Sequence, residues 1–378
     1  MEERGAGRRA RSALPVIAVA LVTILVAAFL YLRPALPSTA QPRVATNGPT
    51  AFTLDPSYQV SYDFVAPSVG WAAIVRTAPA GVEYWIFVTA DGARHWQVLS
   101  WGSMDRADAT VELHMFDRAH GYVVVARRHM EATSDGANWD LMPLPAAHEV
   151  ELAFADPRHG WFTGTVDGTP AGNVAFFATS DGGANWAPLP AAPGGGFAFR
   201  NASEGWAAVS TDSGGIVYST HDGGLSWTAH QLPHDNSGEG KGVGNTGVRL
   251  LPGRGILATV GTLVVSSFDG GQTWRRVNVP AEAAFNDIAF QDATHWWVMP
   301  SGNLFKTADG GQTWTHVSLQ FDDWQYRLQV VDAQHAWARL DLSVGTQDPT
   351  RGTALAFTND GGRHWDYAHV PHPTPGVI

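Results

Sequence analysis

No cysteine occurs anywhere in the 378 residues. That absence excludes a disulfide scaffold, a thiolate zinc site, a thiol nucleophile and a lipid anchor on cysteine. Lysine is almost missing, present only at Lys241 and Lys306. Charge is scarce at 16%, and acid outweighs base: 35 Asp and Glu against 24 Lys and Arg, a net charge of −11. Non-specific nucleic-acid binding needs clustered positive charge, so no nucleic-acid partner is expected. After residue 33 no stretch keeps a helical period over three turns, which points to an all-β architecture. Apolar residues make up 44%, too many for a disordered chain. The abundant residues are glycine, 41 copies, and tryptophan, 16 copies. Together they indicate a repeated turn that carries an aromatic ring.

The first segment reads as a membrane signal. Residues 1–12 form a basic, cytoplasmic N-terminus with Arg4, Arg8, Arg9 and Arg11. Residues 13–32 (ALPVIAVALVTILVAAFLYL) are uncharged throughout. At about 1.5 Å per residue they span the roughly 30 Å hydrocarbon core, so a transmembrane signal anchor is expected. The basic flank stays in the cytoplasm and places the bulk of the chain outside it, on a single-pass cell-membrane protein. The alternative is a cleaved signal peptide, for which Ser38-Thr39-Ala40 offers a site well past the apolar run. Residues 33–50 are rich in Pro, Ser and Thr and read as a linker. Removing residues 1–33 takes away five arginines and two glutamates, which leaves 19 basic and 33 acidic residues, a difference of −14. Such a domain is repelled by anionic lipid, so it meets the membrane through its N-terminal helix only.

Residues 51–378 hold seven copies of one unit. An [ST]-x-D-G turn is followed by tryptophan four or five residues after the aspartate, as in TSDGGANW, THDGGLSW and TADGGQTW. The aspartates are Asp91, Asp135, Asp181, Asp222, Asp269, Asp309 and Asp360, spaced by 44, 46, 41, 47, 40 and 51 residues. A period of this size marks an array or a propeller. Aspartate closes a tight turn by accepting from the backbone N–H groups ahead of it, and glycine supplies the positive φ. The seven aspartates are therefore structural first. A second register precedes each box, often Asp-x-x-His-Gly-Trp, with anchors at Trp71, Tyr122, Trp161, Trp206, Ile256, Trp297 and Trp337. His120, His159, His295 and His335 recur at one position of that register and read as turn residues rather than zinc ligands. Each copy divides into four short strands, as in Phe285–Phe290, Trp296–Met299, Leu304–Thr307 and Trp314–Val317. Four strands in seven copies predict a seven-bladed β-propeller of four-stranded blades, behind one N-terminal transmembrane helix. Ala51–Leu54 is expected to add a closing strand to the last blade.

The T-x-D-G-G-x-x-W turns resemble the Asp-box, or bacterial neuraminidase repeat, of sialidases, sortilins and several glycosidases. Seven boxes with an H-G-W register behind one membrane segment look most like the photosystem II stability and assembly factor propellers. The resemblance runs from about residue 58 to 370. It implies a non-catalytic extracytoplasmic scaffold that binds a membrane-protein partner, without cofactor or metal. It also implies an arginine-rich face, for which Arg127–Arg128 and Arg275–Arg276 are the candidates. The alternative is a glycoside hydrolase or carbohydrate-binding propeller with a glycan ligand. A sialidase-like site begins with an Arg-Ile-Pro motif, which this sequence lacks; the first blade's arginines are Arg76 and Arg94. Other Asp-box glycosidases need two carboxylates across one cleft. Counting back five residues from the Asp-x-x-His position gives Ser61, Glu112, Glu151, Gly196, Thr246, Asp287 and Arg327. In register, these form a layer near one mouth of the central channel, with a solvated channel as the plain reading and a ligand site (Ser61, Glu112, Glu151, Asp287, Arg327) as the sharper one.

Overall fold

The structure is a computed structural model that describes residues 52–105, 108–145, 147–166, 174–211, 214–232, 246–261, 263–280, 288–299, 303–317, 326–342 and 352–373. The basic N-terminus, the apolar segment 13–32, the linker and Asp287 lie outside the described residues. Among the described residues no helix is long and apolar enough to cross a membrane.

A two-strand-residue segment, β1 (Thr53–Leu54), comes first in the chain and belongs to the last blade. Blade 1 is β2 (Tyr58–Ala66), β3 (Val69–Ala78), β4 (Gly81–Thr89) and β5 (Gln97–Met104). Blade 2 is β6 (Val111–Met115), β7 (Gly121–Val125), β8 (His129–Thr133) and β9 (Asp140–Met142). Blade 3 is β10 (Ala147–Phe154), β11 (Gly160–Val166), β12 (Val174–Thr179) and β13 (Ala187–Leu189). Blade 4 is β14 (Phe197–Phe199), β15 (Gly205–Thr211), β16 (Gly214–Thr220) and β17 (Thr228–Gln231). Blade 5 is β18 (Thr246–Leu250), β19 (Ile256–Val260), β20 (Leu263–Ser267) and β21 (Arg275–Arg276). Blade 6 is β22 (Ile288–Phe290), β23 (Trp296–Val298), β24 (Leu304–Thr307) and β25 (Thr315–Val317). Blade 7 is β26 (Tyr326–Val330), β27 (Ala336–Asp341), β28 (Thr353–Thr358) and β29 (Asp366–Ala368). Every pairing is antiparallel, and the seven four-stranded meanders form the expected propeller.

Both chain ends close the ring. The outer edge of β28 is shared: Ala354 and Thr353 pair with Thr53 and Leu54, and Leu355–Phe357 pair with Ala368–Asp366. The predicted closing strand therefore exists. Leu54 is buried in the cluster between blades 7 and 1, beside Phe64, Trp85, Leu355 and Val370. Beyond β29 the chain crosses to blade 1, where the Trp96 indole donates to the His369 carbonyl at 2.9 Å and Phe52 stacks on the His369 ring.

Local turn chemistry accounts for the repeat. In the box of blade 4 the Asp222 Oδ1 accepts from the Thr220 hydroxyl at 2.8 Å and from the Ser226 N–H at 2.9 Å. The Thr220 hydroxyl oxygen in turn accepts from the Gly224 N–H at 2.9 Å. Gly223 and Gly224 have φ of 75° and 94°, a region only glycine enters freely. The Asp-x-x-His turn works in the same way: His159 donates its N–H to Asp156 at 2.9 Å and sets Nδ1 2.9 Å from the same carboxylate. His120, His295 and His335 repeat that contact with Asp117, Asp292 and Asp332. The two turns of one blade touch, since the Gly182 N–H of the box donates to the Arg158 carbonyl. Boxes and Asp-x-x-His turns thus share one end of the propeller, called the box end below.

The glycine of the H-G-W register has a separate cause. Gly160 and Gly205 pair across the strand with Phe154 and Phe199, whose rings lie where a Cβ would stand. The ring covers the bare backbone, a cross-strand arrangement that only glycine permits. The anchor indole then reaches into the next blade. Trp71 donates to Gly136 O at 2.9 Å, and Trp161 to Gly223 O at 2.9 Å. Each links one blade to the following box. Flat ring stacks also span joints: Trp161 on Phe199 between blades 3 and 4 at 3.7 Å, and Phe64 on Trp337 between blades 7 and 1 at 3.8 Å. Most of the core lies between blades, not within them.

The box aspartates predict an acid profile. Hydrogen bonds from Ser226 hold Asp222 down at about 2, and those from Asn138 hold Asp135 there too. A carboxylate lowered in the folded state contributes stability above its unfolded value near 3.9, lost as pH falls through the folded value. These turns should therefore leave Tm flat from pH 7 to about 4 and let it drop from there toward pH 2. Thermal melts across that range test this, and Asp222→Asn should blunt the drop.

Candidate functional site

Of the residues expected at the channel mouth, Ser61, Glu112, Glu151, Thr246 and Arg327 stand on the first strands of their blades and Gly196 just before one, while Asp287 lies outside the described residues. The Ser61 hydroxyl is buried and accepts from the Leu113 N–H of blade 2 at 3.2 Å. Two residues on, Asp63 accepts from the Met115 N–H at 2.7 Å and from Gln329 Nε2 at 2.5 Å, which joins blades 1, 2 and 7. Glu151 repeats the Ser61 pattern two joints further on, accepting from the Phe197 N–H of blade 4. Its Oε1 lies 3.4 Å from where a Gly196 Cβ would stand, an ordinary contact distance. Thr246 opens β18 beside Gly196. The strand edge facing a channel has free N–H groups, and these side chains satisfy them.

Glu112 and Glu151 face each other electrostatically across the joint of blades 2 and 3. Glu151 is exposed by area but surrounded by channel walls. Desolvation and then the Glu112 charge raise its pKa, against the opposing Phe197 bond. A raised carboxylate pKa costs stability at neutral pH, and the cost fades as pH falls through the folded value. Glu112→Gln should therefore be neutral or stabilising by up to about 0.5 kcal/mol at pH 7, with the gain vanishing near pH 4, read by urea unfolding at both pH values. Among the described residues no group of three or more His, Asp or Glu side chains is arranged to hold a metal ion. Arg327 stands on the other side of the channel, on β26, opposite Arg339 of β27.

The box end of the channel holds a cavity that the strand-register argument did not find. Its volume is about 460 Å³, and Arg249, Leu251, Pro252, Phe290, Gln329 and Val330 line it. Arg249 stacks on the Phe290 ring at 4.7 Å and donates to the Ile288 carbonyl. A sequence signal was present: blade 5 replaces the Asp-x-x-His turn with Leu251-Pro252-Gly253-Arg254-Gly255, so apolar side chains take the place of a polar turn.

The two arginine pairs do not share a surface. Arg127 sits in the β7–β8 turn, opposite the box end, at φ 50° and 3.8 Å from Asp108. Arg275 lies on β21, over the Phe268 ring at 4.6 Å, and donates to the Asp309 carbonyl in the next box. Of the tryptophans outside the registers, Trp85 is buried and its cross-strand partner Trp101 is exposed.

The family model for the photosynthesis system II assembly factor YCF48 matches residues 88–243 and 266–377, well over half of the chain. The chain belongs to the YCF48 family. A YCF48-family relative, the photosystem II assembly lipoprotein Ycf48 of Synechococcus sp. (strain CC9902), is 28% identical over 187 residues. That match takes in 46% of this chain and 51% of the relative, so the chain spans about half the length of the curated relative it matches. The solved structure of YCF48 bound to D1 peptide aligns over 86% of this chain and 100% of that one, at 18% identity and a TM-score of 0.53. An uncharacterised protein of Listeria monocytogenes EGD-e aligns over 81% and 96% at 8% identity and a TM-score of 0.50. These two likenesses concern the propeller fold, which hosts many functions.

Proposed function

We propose that this protein is a non-catalytic, extracytoplasmic scaffold that binds a protein partner and assists the assembly or stability of a membrane complex of the photosystem II kind. Membership of the YCF48 family carries the reading, because the matched segments take in all seven box turns and most of the ring. The relative is a photosystem II assembly lipoprotein, and a solved YCF48 is bound to a D1 peptide. Our reading assigns the membrane attachment to residues 13–32, with the N-terminus cytoplasmic and the propeller outside. The relative is a lipoprotein, whereas these 378 residues hold no cysteine to carry a lipid. The glycoside-hydrolase reading gains no observation in its favour, because the Glu151 carboxylate is engaged by a backbone N–H of the next blade.

Cross-linking of the full-length chain in native membranes, followed by mass spectrometry, tests the proposal. Recurrent capture of photosystem II subunits is the expected result. Capture of a different membrane complex would move the client, and capture of nothing specific would remove the scaffold reading. Protease added to intact spheroplasts should cut the propeller if it faces outward.

A further inference from the structure

The joint between blades 7 and 1 has more hydrogen-bond donors than acceptors. Arg327 and Arg339 are directly opposed across β26 and β27, on the face that meets blade 1. Opposed residues have Cβ atoms roughly 4.5–5.5 Å apart, and like charges in that position destabilise a sheet. Arg327 is exposed to the channel, and among the described residues no carboxylate or carbonyl accepts from it. Arg339 donates Nη1 to the Val60 carbonyl of blade 1 at 2.9 Å, one of its five N–H donors. The Tyr62 hydroxyl enters the joint from blade 1, buried and without a partner. A buried hydroxyl left unpaired costs about 1–3 kcal/mol.

Two carboxylates stand near the two arginines. Asp341, on the same strand as Arg339, offsets one positive charge. On the blade 1 side Arg76 is paired with Glu83 at 2.7 Å and reaches Tyr58 at 3.3 Å, so that cluster is internally neutral. From blade 1, Asp63 brings a second carboxylate, which accepts from Gln329 Nε2 of β26 at 2.5 Å.

We propose that this joint is a carboxylate-binding site, in which Arg327 and Arg339 form the cationic clamp and the Tyr62 hydroxyl supplies a further donor. The planar guanidinium matches the two oxygens of a carboxylate. Arg327 gives the entry side from the channel, and Tyr62 the closed side. Burial, and then the charge of Arg327, lowers the Arg339 pKa, which is the penalty a bound anion would relieve. The site stands apart from the two exposed arginine pairs and does not depend on the identity of any client.

Sodium acetate is the probe, titrated into the full-length chain in detergent at pH 7.5 and constant ionic strength, with Tm as the readout. A saturable rise in Tm is expected, with chloride and sulfate weaker by about tenfold or more. Arg327→Gln should abolish the response and leave the acetate-free Tm equal or higher, because it removes a like-charge neighbour. Tyr62→Phe should fold normally, since its hydroxyl has no partner to lose, and should weaken the acetate response several-fold. The proposal is overturned if wild type shows no saturable rise, if Arg327→Gln retains it, or if all three anions act alike.

Discussion

Replacing Trp161 by alanine is expected to cost about 3–5 kcal/mol of stability, the range for truncating a buried tryptophan. The side chain is 2% exposed, so the cavity left behind is fully enclosed. Its indole lies flat on Phe199 of the next blade at 3.7 Å, and that stack contributes beyond area burial. The indole N–H also satisfies Gly223 O, a turn carbonyl of the next blade, at 2.9 Å. Trp161→Phe separates the parts: it keeps most of the stack and leaves the carbonyl unpaired, so about 1–3 kcal/mol should be lost. Urea unfolding of the three proteins measures both steps. A loss under about 1 kcal/mol for the alanine variant would show that the joint between blades 3 and 4 is not held by this residue.

Leu54→Asp should have an effect of similar size from a different cause. Leu54 is 1% exposed among Phe64, Trp85, Leu355 and Val370, and Arg76, which lies over the Trp85 ring, is already paired with Glu83. Burying an unpaired charge is among the few changes that exceed about 4 kcal/mol. The expected result is a detached β1 with the outer edge of β28 exposed at Thr353 and Ala354. Limited proteolysis should then cut near residue 55, and size-exclusion chromatography should show association through the open edge. A variant that resists protease like the wild type would mean that β29 alone closes the last blade.

Sequence reading succeeded where chemistry is local. Each box turn needs an aspartate, a hydroxyl two residues before it and a glycine after it, all within a few residues, so the pattern could be read directly. The Asp-x-x-His turns were legible for the same reason. In blade 6 the expected strand Leu304–Thr307 is β24, while the exit strand starts at Thr315 and not Trp314, because the Trp314 position still belongs to the turn. The channel layer was only half legible. Counting placed these residues on the first strands, but did not show that Ser61 and Glu151 turn toward N–H groups of the next blade. That direction depends on which strand stands beside them. The cavity near Arg249 and the opposition of Arg327 and Arg339 arise from pairing between strands, and no short spacing encodes them.

The closing strand also sets an order in time. Leu54 is synthesised about 300 residues before Thr353, its partner, which at 5–20 residues per second means a wait on the order of 15–60 s. Through that interval the blade 1 face with Phe64 lacks Trp337, its stacking partner, and β1 has no edge to join. The earliest-made part of the propeller is thus the last to be sealed. The growing chain carries an uncovered apolar face, open to aggregation and proteolysis, until blade 7 emerges.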